Sequence, residues 1–222
     1  MTSAYQQAQQ EGQHVVRAAI LDAATHLLVT EGPAALTVRR IAGEVGCSTK
    51  VIYTLFGGKD GLSEALWLEG FARFERWLLE EGGVGDGSDA LARLRRGLDA
   101  YRAYALAEPD YYRVMFLGAM AGFTPGDEAV ESAKRTFGLL MQAVGKCLET
   151  GALRGGEAGE IADVLWMAIH GAVSLEILGH FDEPTAARRY PLLCDSVLAP
   201  FLAPDNRPDS RPDERHDERN AP

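Results

Sequence analysis

The chain has 222 residues, of which 46% are apolar and 8% aromatic, and its formal net charge is −10. This length and composition are ordinary for one globular core with a small satellite domain, and they exclude fibrous and membrane-spanning classes. Residues 1–14 are polar and lack the basic and apolar regions of an export signal, so we expect a cytoplasmic protein.

The residue types that carry catalysis and metal binding form no known pattern here. Cys47, Cys147 and Cys194 are odd in number and widely spaced, which predicts neither a disulfide nor a zinc site. The five histidines lack HExxH spacing, the serines lack a GxSxG sequence, and no glycine-rich phosphate loop follows a strand. We therefore expect no catalytic residues, no bound metal and no cofactor.

The first three predicted helices are short and closely spaced. The apolar pattern predicts the first helix from His14 to Thr30. Thr37 is a good N-cap for the second helix, and Gly46 can end it by entering the left-handed conformation without a Cβ clash. Ser48 can cap the third helix, which runs from Thr49 to Phe56. Two short helices joined at a glycine are typical of a helix-turn-helix.

The third helix has a polar side that is free to reach outward. That side carries Thr49, Lys50, Tyr53 and Thr54. Such groups suit the major groove of DNA, where they meet base-edge acceptors and phosphates. Lys59 lies beside the start of the next helix and can share a phosphate with its free N–H groups. The same residues also suit an ordinary helical corner, so the pattern leaves both interpretations open.

Residues 18–62 hold a set of matches in register with one protein family. The matching features are the leading helix, Gly32, Leu36-Thr37, Ile41-Ala42, Gly46, Ile52-Tyr53, Phe56 and Lys59-Asp60-Gly61-Leu62. In these features the chain resembles the TetR family of bacterial transcriptional regulators. Cys47, Lys50 and Leu55 depart from the commonest family pattern, which concerns the operator rather than the fold.

The resemblance implies an all-helical homodimer that binds a palindromic operator on double-stranded DNA and releases it when a small-molecule effector enters the C-terminal domain. We expect Thr49, Lys50 and Tyr53 to address base edges or adjacent phosphates. The backbone contacts are expected from Thr37, Arg39, Thr54 and Lys59. Because basic and acidic residues balance within residues 1–62, the whole excess of negative charge lies beyond this segment. The alternative is a ligand sensor that acts through a protein partner without specific DNA binding.

The remaining sequence predicts further helices and no strand, giving an all-α fold of about nine helices. Their expected ranges are 61–81, 89–107, 109–120, 127–151, 157–181 and 184–202, with a loop over 82–89. We expect a helix-turn-helix domain at 14–60, a ligand-binding and dimerisation domain at 61–202 and a disordered tail at 203–222.

The effector cavity is expected among the fourth to eighth helices, and the effector is expected to be largely apolar. The nearest aromatic and methionine residues are Tyr101, Tyr104, Tyr111, Tyr112, Met115, Phe116, Met120 and Phe123. The eighth helix resembles the Trp-His-Gly type of TetR C-terminal domain at Trp166, His170 and Gly171. With Met167, Trp166 and His170 either line the cavity or pack in the core or the dimer interface, and both alternatives stay open.

Overall fold

The computed structural model describes residues 3–83, 89–120 and 122–206. Within these ranges the chain forms nine α-helices, two short 3-10 turns and no β-strand, which confirms the all-helical prediction. The helices are α1 (Ala4–Glu31), α2 (Val38–Val45), α3 (Thr49–Phe56), α4 (Lys59–Glu81), α5 (Ala90–Ala107), α6 (Pro109–Phe116), α7 (Asp127–Glu149), α8 (Ala158–Ile177) and α9 (Glu183–Leu198). None of the helices described is both long and apolar enough to cross a membrane.

Helix α1 begins ten residues earlier than its apolar pattern predicts. Ser3 caps it: its hydroxyl accepts from the Gln6 amide, and the Gln6 side chain accepts from the Ser3 amide. This reciprocal pair satisfies two amide groups that a helix start would otherwise leave free. Residues 4–16 are exposed, so these additional turns bury no apolar face from which the prediction could have found them.

Three later helices, α6, α8 and α9, each end about four residues before the predicted position. Gly118, just after α6, has φ +70°, and Gly179, just after α8, has φ +79°, a conformation that ends a helix and favours glycine. Beyond α9, the Phe201 carbonyl accepts from the Arg154 amide at 2.8 Å. Residues 203–206 were expected to be disordered, but Pro204–Asn206 form a 3-10 turn. The rest of the predicted tail, and positions 84–88 of the predicted loop, lie outside the described residues.

The buried apolar residues form two clusters that share helix α4. The N-terminal cluster joins α1, α2 and α3 to the first half of α4, including Leu62 and Leu66. The larger C-terminal cluster joins the second half of α4, including Phe71 and Phe74, to α5–α9. Val114 of α6 packs into the N-terminal cluster, so the two clusters are linked by α6 as well as by α4.

Candidate DNA-binding face and effector cavity

The helix-turn-helix is built by caps and a glycine turn. The Thr37 hydroxyl oxygen accepts from the Arg40 amide at 3.2 Å, as its N-cap role predicts. Gly46 has φ +73° and ends α2, and the Cys47 amide donates to the Ala42 carbonyl. Ser48 occupies the N-cap position of α3, but its side chain makes no capping hydrogen bond, so that part of the prediction is wrong.

Helix α3 is held against α4 by an unusually close backbone approach. Ile52 is fully buried and Phe56 nearly so, and they fix the inner side of α3 on the N-terminal cluster. A Cβ atom added to Gly61 would lie only 1.9 Å from the Phe56 carbonyl oxygen. No other residue type fits there without a backbone shift, so Gly61 allows the end of α3 and the start of α4 to lie this close together.

Every residue predicted to contact DNA has an exposed side chain. These residues are Thr37, Arg39, Thr49, Lys50, Tyr53, Thr54 and Lys59. On α3 the four polar positions face outward, while Ile52 and Phe56 face inward. The Tyr53 ring lies beside the Gly58 backbone: a Cβ atom added there would be 3.5 Å from Tyr53 Cε1.

The five cations of residues 1–62 divide into paired and unpaired groups. Arg40 bonds to Glu31 at 2.8 Å and to Glu44 at 2.7 Å, and Arg17 lies 3.6 Å from Glu69. Arg39, Lys50 and Lys59 make no ion pair with any acidic residue in the described part of the chain. Their charges therefore remain available for phosphates.

The hydroxyl groups of Thr37 and Thr54 differ in whether the O–H is still free to donate a hydrogen bond. Thr37 uses its oxygen as an acceptor, so its O–H remains free for a phosphate. Thr54 donates its O–H to the Lys50 carbonyl at 2.9 Å. Thr54 would therefore reach a phosphate only by giving up that bond, a constraint invisible in the sequence.

A cavity of about 860 Å³ opens between α4, α5, α6, α7 and α8. This volume is in the range of pockets that bind drug-sized molecules. Its aromatic lining comes from five helices and comprises Phe71, Phe74, Tyr101, Phe116, Phe137 and Trp166. Of the candidate effector-binding residues named in the sequence analysis, Tyr101, Phe116 and Trp166 line this cavity.

Tyr104 and Met115 lie outside the cavity wall because both side chains pack against Gly70, where α4, α5 and α6 cross. The Tyr104 hydroxyl donates to the Gly70 carbonyl at 3.0 Å. A Cβ atom added to Gly70 would lie 2.8 Å from the Met115 sulfur. Phe71 and Phe74 of α4, which the sequence analysis did not name as effector-binding residues, supply the cavity wall instead.

Met120, Phe123 and Met167 also lie away from the cavity, for two different reasons. Met120 is buried in the N-terminal cluster, and Phe123 packs against that cluster and against Trp67, with ring centroids 5.9 Å apart. Both residues follow the early end of α6, which carries them towards the DNA-binding helices. The Met167 side chain is 65% exposed on the outer side of α8.

Tyr112 and His170 reach the cavity indirectly, through a polar network behind its wall. His170 Nδ1 lies 2.8 Å from the Tyr101 hydroxyl and 3.1 Å from the Tyr112 hydroxyl, and Tyr112 lies 3.3 Å from Ser174 Oγ. Burial lowers the pKa of His170 and raises the pKa of Tyr101 and of Tyr112. Near pH 7 the network is therefore neutral.

Helix α6 joins this network to the DNA-binding helices. Tyr111, next to Tyr112, donates its hydroxyl to Asp22 on α1 at 3.1 Å. Arg73 on α4 bonds the same Asp22 oxygen at 2.8 Å, and its guanidinium carbon lies 4.5 Å from the centre of the Tyr111 ring. Consecutive residues of α6 thus contact the helix-turn-helix side and the cavity side of the molecule.

A helix-turn-helix with free cations on an all-helical chain defines a DNA-binding regulator. Residues 20–66 match the family described as bacterial regulatory proteins of the tetR family, and residues 94–196 match the tetracyclin repressor-like C-terminal domain. The chain belongs to the TetR family and is a transcription regulator rather than an enzyme. No curated protein matches the sequence.

Solved structures share the fold over most of the chain. A protein of unknown function from Rhodococcus sp. RHA1 is 25% identical, with a TM-score of 0.73 over 85% of this chain and 96% of that one. A TetR family transcription regulator from Marinobacter aquaeolei VT8 is 18% identical, with a TM-score of 0.69 over 88% and 98%. The TetR family regulator PfmR from Thermus thermophilus is 19% identical, with a TM-score of 0.64 over 81% and 96%.

Proposed function

We propose that the protein is a homodimeric repressor that binds a palindromic operator through two copies of α3 and releases it when a small, largely apolar molecule enters the cavity. The observation that carries the DNA side is the set of unpaired cations Arg39, Lys50 and Lys59 in a chain whose net charge is −10. Phosphate contacts draw on such charges, whereas the acidic body orients the approach by repulsion.

The exposed side chains have distinct proposed roles. Thr49, Lys50 and Tyr53 address base edges or adjacent phosphates, because they project from α3. Thr37, Arg39 and Lys59 bind the DNA backbone at the starts of α2 and α4. Thr54 is a weaker backbone contact than the sequence suggested, since its O–H is already donated.

The proposed dimer uses an apolar stripe on α8. Its exposed members are Val164, Met167, Leu175 and Leu178, spaced three, eight and three residues apart, and Leu192 of α9 is 66% exposed. Gly171 lies within the stripe with no atom within 4 Å of an added Cβ, which leaves room for a second helix to approach. We assign a second copy of the chain to this stripe because a palindromic operator requires two copies of α3.

Effector release follows the contacts of α6. A molecule in the cavity would press on Tyr101 and Phe116, which contact Tyr112 and move α6 against Asp22 of α1. Two positions of α1 would hold the two copies of α3 at different spacings. A differential affinity of a few kcal/mol between these spacings is enough for release.

Sequencing the genomic DNA that the purified protein retains at near-physiological salt tests the function. The expected result is a recurring palindrome that is lost in a Lys50→Ala, Lys59→Ala double variant. Equal recovery of unrelated fragments by the wild type and the double variant would contradict specific operator binding. It would favour the sensor that acts through a protein partner.

Substitutions of the two lysines should weaken DNA binding in different ways. Lys50→Ala should relax the sequence preference, because a base contact is lost. Lys59→Ala should weaken matched and scrambled DNA equally and lower the salt slope by about two in a dimer, one phosphate per half-site. Lys134→Ala, on α7, is the matched control. Equal losses for Lys50→Ala on matched and scrambled DNA would contradict its base contact.

A further inference from the structure

The cavity wall has more positive than negative side chains, whereas the molecule as a whole has a negative net charge. Arg93, Lys134 and Lys146 line the cavity, and the only acidic lining residue in the described part of the chain is Asp163. In a chain with ten excess negative charges, a wall with three cations and one anion is a local reversal. Two of these three cations are paired with glutamates outside the wall, so the attraction for an anion rests mainly on Arg93.

Arg93 differs from the other two cations because each of those has a glutamate partner. Lys146 lies 2.9 Å from Glu149 and Lys134 lies 3.6 Å from Glu131, and both lysine side chains are more than half exposed. Arg93 is half-buried and makes no ion pair with any acidic residue among those described. A partly desolvated guanidinium without a partner favours a bound anion.

Arg93 lies near the start of α5 and lines the same cavity as Tyr101 of that helix. Tyr101 is eight residues further along α5, a distance of about 12 Å along the helix. Along α5 the cavity wall therefore runs from a guanidinium group to an aromatic ring.

We propose that the cavity binds an amphipathic carboxylic acid, with its carboxylate on Arg93 and its apolar body extended towards Tyr101 and Trp166. The proposal rests on the effector role proposed above and narrows it to one chemical class. The planar guanidinium matches a carboxylate with two parallel hydrogen bonds, a geometry that neither an alcohol nor an ammonium head offers.

Three probes with the same twelve-carbon chain test the head group in the full-length protein: dodecanoate, 1-dodecanol and dodecylammonium. Titration calorimetry below their micelle-forming concentrations gives the three affinities. We expect dodecanoate to bind about ten- to a hundredfold more tightly than either of the others, the range for a hydrogen bond to a charged group. Equal affinities, tighter binding of dodecylammonium, or no binding of any probe would overturn the proposal.

Variants of Arg93 test whether this residue causes the preference for dodecanoate. Arg93→Gln should remove the preference for dodecanoate while leaving the affinity for 1-dodecanol within about threefold, and Arg93→Lys should retain part of the preference. Arg135→Gln, a cation of α7 that lies outside the cavity wall and pairs with Glu75, should retain it fully. A preference that persists in a folded Arg93→Gln protein would overturn the assignment to Arg93. The comparison of probes in the wild type needs no variant and stands if Arg93→Gln fails to fold.

DNA release is measured separately, so the two proposals can fail independently. Dodecanoate that binds with the expected preference but leaves the operator occupied would support the head-group assignment and contradict the effector role. An operator released equally by dodecanoate and 1-dodecanol would support the effector role and contradict the head-group assignment.

Discussion

The Thr37 hydroxyl makes the N-cap contact of α2 and has a proposed second contact with DNA, and different substitutions separate these two roles. Its oxygen caps α2 by accepting from the Arg40 amide, while its O–H points from an exposed side chain. Thr37→Asp should keep the cap and leave the free energy of unfolding within about 0.5 kcal/mol, because Asp is an equally good N-cap. It should lower operator affinity at least tenfold, since a carboxylate would face phosphates.

Thr37→Ala provides the comparison, because it loses the cap and should cost about 1 kcal/mol of stability. Urea unfolding and fluorescence anisotropy with labelled operator measure the two effects. Operator binding by Thr37→Asp at wild-type affinity would show that Thr37 does not face DNA.

The lowered pKa of His170 predicts that the free energy of unfolding depends on pH. Burial lowers its pKa below the ordinary 6.5, so the folded protein holds a neutral ring while the unfolded chain takes up a proton near that pH. The unfolded state then binds more protons, and the free energy of unfolding should fall as the pH decreases below about 6.5. Above that pH the contribution is fully present.

Urea unfolding at pH 7.5 and pH 5.5 checks the sign in the wild type and in His170→Asn. The loss on acidification should be smaller in His170→Asn. His14→Asn, which replaces an exposed histidine, is the matched control and should behave like the wild type. An identical loss in all three proteins would mean that His170 is not the titrating group.

At the scale of elements, the angle between α3 and α4 depends on Gly61. A Cβ atom there would lie 1.9 Å from the Phe56 carbonyl oxygen, so Gly61→Ala forces the backbones apart. We expect a loss of at least 2 to 3 kcal/mol in stability, the upper part of the usual range for point substitutions, or roughly 4 °C or more in Tm. Circular dichroism melting measures it.

Gly43→Ala on α2 is the matched control for Gly61→Ala. Nothing lies within 4 Å of its added Cβ, so it should stabilise the helix by up to about 1 kcal/mol. A Gly61→Ala protein that melts like the wild type would show that α3 and α4 can separate without cost.

Local signals explain which elements the sequence could predict. Helices α2 and α3 were predicted at their observed ends because Thr37 and Gly46 act on their own neighbours. The start of α1 was missed since its first turns bury nothing, and α8 was predicted too long because Leu178 and Phe181 extend its apolar pattern beyond Ile177. The spacing of apolar residues shows which side of a helix is buried. It predicts a helix end wrongly where the buried side and the helix end at different residues.

The cavity shows the limit of prediction at this scale. The sequence identified the aromatic supply of α5 and α6 but not which members face the cavity. Tyr101 and Tyr104 are one turn apart, yet Tyr101 lines the cavity while Tyr104 bonds to the Gly70 carbonyl. The choice is made by the crossing of α4 at Gly70, a contact between segments more than thirty residues apart. No local pattern encodes it.

At the scale of the whole molecule, the proposed DNA-binding residues and the excess negative charge lie in different parts of the chain. Residues 1–62 are neutral overall and present three free cations, whereas the rest of the chain carries the full charge of −10. One copy therefore offers few phosphate contacts, and the affinity of a single helix-turn-helix module should be weak at physiological salt. Operator binding should depend on dimer formation.

Met167→Glu tests that dependence directly. Its side chain is 65% exposed, so the charge should leave the fold intact but place two carboxylates near each other across the proposed α8 interface. We expect a monomer by light scattering and a loss of operator affinity of at least about a hundredfold, as linked binding modules separate. Val130→Glu, an exposed apolar residue of α7, should remain dimeric and bind normally. A dimeric Met167→Glu protein would place the interface elsewhere, and a monomer with full affinity would contradict the need for two copies of α3.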